Sequence, residues 1–307
     1  MEIKKHSYIL SKDGFILCVL ASGRDYYAGE ILYGQEPTEN CPIKVIDGKQ
    51  YFKYWAFQSG NRKLEGRSGE KTSYSHYYKS ASELYKQFSF DHPLIGQLFK
   101  VDTSRIKKVW SPLPFAELQK EPQSMVTSLA ELLNINPNNI NLGGSNMLYP
   151  DRISKTDFDI ILNSEKASSA MVKMIRKLTN DPVYSEKSKN GHIHHRRFIL
   201  NGVNICPFGS SANDSVFEQL DYKLIHEPVE IEAKVINDSD SLLSPSQYKV
   251  LVKGKEMSLI SYHVAHTALL KIGNTIKLKA AQYEFNIKGK SVLSIVIPIE
   301  GTWIEIN

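Results

Sequence analysis

The stretch that most restricts this chain runs from Leu142 to Leu162 and reads LGGSNMLYPDRISKTDFDIIL. A small-residue bend (Gly143, Gly144, Ser145) is joined by a polar connector to two aspartates set in an apolar run, Asp157-Phe158-Asp159-Ile160-Ile161-Leu162. Side chains alternate across a strand, so Asp157 and Asp159 share one face while Phe158 and Ile160 turn toward a core. Two like charges on one strand face repel unless a cation lies between them. A hard ion such as Mg²⁺ is held by one or two carboxylates together with substrate phosphates. A glycine bend, for its part, lets backbone N–H groups reach a phosphate with no side chain in the way. The run therefore predicts a site for a nucleoside triphosphate and its metal, Mg²⁺ or Mn²⁺.

The spacing adds to this. A Gly/Ser bend, a connector of about a dozen residues and then Asp-apolar-Asp-apolar resembles the signature of the DNA polymerase β-like nucleotidyltransferase superfamily. The wider order of segments looks like a group of nucleotidyltransferases whose core is flanked by a leading domain and a trailing β segment. That resemblance implies an α+β chain. A nucleotidyltransferase-like mixed sheet with helices would occupy residues 114–230. An N-terminal β-rich α+β domain would precede it at 1–113, and a C-terminal small β-barrel or sandwich would follow at 231–307. It also implies roles: Gly143, Gly144 and Ser145 hold the triphosphate, and Asp157 and Asp159 are the catalytic metal ligands. The reaction implied moves a nucleoside monophosphate from the triphosphate to a hydroxyl on a nucleic acid, a protein or a small molecule.

One position departs from the family pattern. The resemblance places a third carboxylate on the returning strand of the hairpin that follows, where this chain has Asn204 in Val203-Asn204-Ile205. An amide carbonyl ligates a metal weakly and cannot deprotonate an attacking hydroxyl. The alternative is therefore a catalytically impaired module that binds a nucleotide or a nucleic acid. Arg196 and Arg197, on the outgoing strand of the same hairpin, are either a cationic rim facing the triphosphate or an exposed basic tip. Arginine is the natural bidentate partner of phosphate. The neighbouring His192, His194 and His195 with Cys206 make a weak case for zinc, because adjacent strand residues point to opposite faces and zinc needs converging ligands.

Local signals fill in the remainder. Lys12-Asp13-Gly14, Asp47-Gly48 and Asn201-Gly202, each between apolar runs, predict tight hairpins. Glu30 to Tyr33 and Ile106 to Trp110 read as further strands, and Ser111-Pro112-Leu113-Pro114 as a boundary. Helical spacing appears in Phe115 to Leu133, with Pro122 marking its start, and in Glu165 to Thr179. From Ile231 onward short strands dominate, as in a small barrel or sandwich. Between Gln58 and Tyr85, basic residues alternate with aromatics. Such a stretch serves either as a single-stranded nucleic-acid surface or as a loop and a packed amphipathic helix.

Charge and cysteine usage limit the classes. Thirty-eight basic against thirty-three acidic residues give +5, compatible with an anionic ligand but well below the charge density of a dedicated DNA-binding domain. Three scattered cysteines offer neither a disulfide framework nor a CxxC zinc ribbon. No apolar run suits a signal peptide or a membrane span, so the expectation is a reduced, cytoplasmic protein without a membrane partner. Neither a GxSxG elbow nor a GxxxxGK[ST] loop occurs.

Overall fold

Asp-Gly and Asn-Gly pairs set much of the strand pairing. At Asp47-Gly48 the φ angles are 48° and 72°, and at Asn201-Gly202 they are 50° and 76°. Two successive left-handed residues make the tight turn whose twist matches the flanking strands. At Lys12-Asp13-Gly14 only the glycine is left-handed, at φ 85°. The computed structural model describes residues 3–37, 43–54, 79–92, 94, 96–149, 158–178, 185–187, 193–210, 221–262, 266–287, 290–297 and 303–306.

The first sheet has eight strands: β1 (Tyr8–Ser11), β2 (Phe15–Ser22), β3 (Tyr26–Gly34), β4 (Ile43–Ile46), β5 (Lys49–Lys53), β6 (Ser89–His92), β7 (Gly96–Asp102) and β8 (Ile106–Trp110). Their order is β4-β5-β3-β2-β1-β8, with the β6–β7 hairpin attached to β3 through β7. Alternation along β2 sends Phe15, Leu17 and Val19 to one face, where Ala81 of the short helix α1 (Lys79–Leu84) is buried with Tyr85. Ile16 and Cys18 go to the other face with Tyr8, Leu10 and Tyr33.

The second sheet has the order β11 (Ser185–Lys187), β12 (Ile193–Leu200), β13 (Val203–Gly209), β10 (Phe158–Leu162), β9 (Ile140–Leu142). Its β10–β13 pair is parallel and the other pairs are antiparallel. Helices α2 (Lys120–Leu133) and α3 (Glu165–Leu178) pack on the face that carries Phe158, Ile160, Phe198 and Ile205. α2 begins later than its apolar spacing suggests, after a separate 3₁₀ turn at Phe115–Glu117, and Pro122 lies inside its first turn.

The last unit is a ring. Strands β14 (Asp221–Asn237), β15 (Ser246–Val252), β16 (Lys255–Ser261), β18 (Lys290–Ile297) and β17 (Thr275–Ile287) are bonded in that order, and β14 pairs with β17 to close it. Only β16–β18 is parallel, and β19 (Trp303–Ile306) pairs antiparallel with the first half of β17, adding Ile304 to the core. Five strands joined first to second to third to fifth to fourth, and back to the first, have the connectivity of an OB-fold barrel. Val235, Val250, Leu259, Leu270, Ile276, Leu278 and Ile295 fill it. Arg176 of α3 ties it to the second sheet, donating to Asp238 Oδ2 at 2.9 and 3.0 Å and to Leu270 O at 2.6 Å.

The expected α+β class with a nucleotidyltransferase-like helical core is overturned. The described residues hold nineteen strands and α-helices of only six, fourteen and fourteen residues, so they are mostly β. The reason is the periodicity of the apolar residues. Among the described residues only Lys120–Leu133 and Glu165–Leu178 sustain the 3.6-residue spacing over a long helix, and most of the other described residues lie in strands that close into barrel and sheet. Among the described residues, no helix is long and apolar enough to cross a membrane.

Candidate functional site

Strand β9 runs antiparallel to β10, with Leu142 opposite Ile160, and the chain leaves the sheet at Gly143. Gly143 N donates to Asp159 O at 2.9 Å, which fixes the start of the bend beside that acid. Gly144 then takes φ 61°. A Cβ at Gly144 would lie 1.9 Å from Asp159 Oδ2 and 2.6 Å from its Cγ, so only glycine leaves room for the carboxylate. The bend and the acid converge. Gly143 is confined too, since a Cβ there would be 2.9 Å from Ile161 Cδ1. Ser145 is half-buried in the 3₁₀ turn Gly144–Met147.

Parallel pairing sets Asp159 opposite Cys206 and Phe158 opposite Ile205. Alternation therefore puts Asn204 and Cys206 on the face of Asp159, away from the helices. Arg197 is buried, at 9% exposure. The Arg196 guanidinium carbon stands 4.3 Å over the Phe208 ring. Asp157 lies outside the described residues, as do His192 and residues 58–78 of the basic and aromatic stretch. The part of that stretch that is described forms α1 and buries Tyr85 in the first sheet's core.

No local pattern points to what covers this site. Met147, Leu148 and Tyr149, just past the bend, pack into one apolar cluster with Tyr8, Ile16, Leu32 and Tyr33, and Tyr149 OH donates to Val45 O at 2.8 Å. The first sheet is thus laid over the bend. Cross-strand register places Tyr8 opposite Cys18 and Cys18 opposite Glu30, so these three share a face. Burial pushes the Tyr8 and Tyr33 hydroxyls up, and the Asp159 carboxylate adds to it. Burial, then the Glu30 and Asp159 carboxylates, likewise push the Cys18 thiol up. At neutral pH all three are uncharged donors bordering the acids, and none serves as a base or a thiolate nucleophile. Lys5, His6, Tyr8, Cys18, Glu30 and Tyr33 lie more than a hundred positions upstream of the motif. Only the pairing of β1, β2 and β3 brings them to it.

No family model matches the sequence, and no curated protein matches it. Among solved structures, the crystal structure of the tetrameric p202 HIN2 is similar with a TM-score of 0.20 and 12% identity, over 36% of this chain and 61% of that one. The chain thus spans less than two thirds of that protein's length, and a likeness at this level supports no inference about function.

Proposed function

We propose that the chain binds a nucleoside triphosphate such as ATP at the Gly143–Ser145 bend and moves its nucleoside monophosphate to an acceptor hydroxyl. A divalent cation would be held by Asp159 together with Asp157. The observation that carries this reading is the closure of the bend onto the acid: Gly144 at φ 61°, with Asp159 Oδ2 1.9 Å from the place of a Cβ. It rests on that local arrangement and on the motif spacing, and takes nothing from the overall architecture. A carboxylate beside neutral hydroxyls suits a hard cation such as Mg²⁺ or Mn²⁺, whose charge, when bound, stabilises the attacking and leaving oxygens of an in-line displacement. The protein's own part is positioning. The bend offers backbone N–H groups to the phosphates, Arg196 and Arg197 offer guanidinium forks, and the overlying sheet excludes water.

Charge guides the choice of acceptor. From Asp221 to Asn307 ten lysines face ten acidic residues, with no arginine, so the barrel region has no net attraction for a phosphate backbone. Its aromatic rings are also engaged. Tyr222 packs against Tyr283 and Phe285 at 6.0 and 6.2 Å, in a cluster that includes Leu94 of the first unit. The cationic excess lies in residues 1–113, with seventeen basic against twelve acidic side chains. Small-molecule and protein hydroxyls are therefore the first acceptors to try, and single-stranded nucleic acid the next.

Calorimetry with each nucleoside triphosphate and Mg²⁺, followed by transfer of α-labelled nucleotide to mixed acceptors, tests the proposal. Asp159→Asn should abolish labelling while the protein stays folded; full labelling in that variant rejects the role. A second reading, binding without transfer, is favoured by Asn204, which supplies an amide on the face of Asp159. Under it the wild type binds nucleotide and labels nothing, and Asn204→Asp gains labelling.

A further inference from the structure

We infer that Lys5, His6 and Arg196 form a phosphate-binding pocket where the three sheets meet, and that it takes the terminal phosphates of the polyphosphate. This deepens the nucleotide reading above and rests on it for the identity of the whole ligand. The pocket itself stands on separate observations.

His6 is held in an uncommon conformation, at φ 64°, by its N–H donating to Val19 O at 2.9 Å. Its ring lies 5.3 Å from that of Phe208 on β13, the same ring over which Arg196 stands. Beside it, Lys5 Nζ donates to Ser244 O in the segment leading to β15. First sheet, second sheet and barrel all contribute to this one spot.

His6 is 8% exposed, and its Nε2 is fully buried with no hydrogen-bond partner among the described residues. Native interiors rarely leave such an atom unpaired, and a ligand is one of the few standard explanations. The charges that act on the ring identify the ligand's sign. Burial, then Lys5 and Arg196, hold its pKa down to about 3, so a neutral imidazole lies among cations at neutral pH. An anion accepts from the His6 Nε2–H while the ammonium and guanidinium beside the ring offset its charge, which suits the several oxygens of a phosphate. Lys5 also acts on Cys18, as do Asp159 and Glu30. The cationic pocket therefore adjoins the acidic end of the site, as the tail of a metal-bound polyphosphate requires.

The test uses inorganic pyrophosphate as the probe, titrated into the full chain by calorimetry in a metal-free, phosphate-free buffer. Wild type should bind. Lys5→Met, Arg196→Met and His6→Phe, which keeps a ring against Phe208, should each weaken binding by about tenfold or more, the weight of one charge-assisted hydrogen bond. Gly202→Ala, at a hairpin tip with nothing within 4 Å, should bind pyrophosphate as wild type does. Thermal melts establish that each variant is folded; if His6→Phe is not, Lys5→Met and Arg196→Met decide. Absence of binding to wild type, or undiminished binding in the folded variants, overturns the pocket. Metal-free binding in a protein that transfers no nucleotide would keep the pocket and reject the transferase reading.

Discussion

The buried imidazole of His6 places a quantitative demand on folding as the pH falls. In the folded chain its pKa is lowered from 6.5 to about 3, chiefly by burial and then by Lys5 and Arg196. Between those two values the unfolded state binds a proton that the folded state refuses. Stability is therefore intact above the unfolded pKa and is lost as pH drops through the window, levelling off below the folded value. Each unit inside the window removes about 1.4 kcal/mol, so going from about pH 7.5 to about pH 5 should remove roughly 2 kcal/mol through this residue alone. Urea unfolding of wild type and His6→Gln at both pH values isolates the effect, because subtracting the variant cancels every other titrating group. The buffers must be free of phosphate, since an anion in the pocket would draw a proton onto the ring. Wild type should lose about 2 kcal/mol more than the variant. Losses equal to within about 0.5 kcal/mol would show that the ring is solvated or paired, and would refute both its burial and its unpartnered nitrogen.

Other predictions follow from the same geometry. Gly144→Ala forces a left-handed alanine against Asp159 Oδ2; it should cost about 1–3 kcal/mol and also abolish nucleotide binding, read by melting and calorimetry. Gly202→Ala is its control: at φ 76° but with nothing within 4 Å, it should cost about 1 kcal/mol and leave binding untouched. Arg176→Met strands Asp238, whose side chain is 11% exposed, and should destabilise the chain by about 3 kcal/mol in urea. A loss of under about 1 kcal/mol there would mean that the link between α3 and the barrel is dispensable.

Much of the local structure was legible because short-range chemistry fixes it. Asp47-Gly48 and Asn201-Gly202 marked their hairpins by the left-handed angles those residues tolerate, and α3 showed its extent through the spacing of Met171, Met174, Ile175 and Leu178. The nearness of Gly144 to Asp159 followed from a bend feeding an antiparallel neighbour. What misled was scale. A run of 21 residues, Leu142 to Leu162, sets the expected class, although strands make up most of the described residues. Closure of the barrel depends on β14 meeting β17, a contact between distant segments that no local window contains. The contributions of Lys5 and His6 were invisible for the same reason. Next to Ser7 and Tyr8 they read as the ordinary approach to a first strand, and only the stacking of one sheet over another gives them a role.

The ring of the last unit also has a history in time. During synthesis β14 can zip to β15 and β15 to β16 as they emerge, but the far side of β14 waits for Thr275 and the residues after it to leave the ribosome. Until then a seventeen-residue ribbon carries a bare row of amide and carbonyl groups, the kind of seam along which nascent chains stick to one another. A transcript interrupted ahead of β17 would yield an adhesive fragment rather than a merely shortened protein.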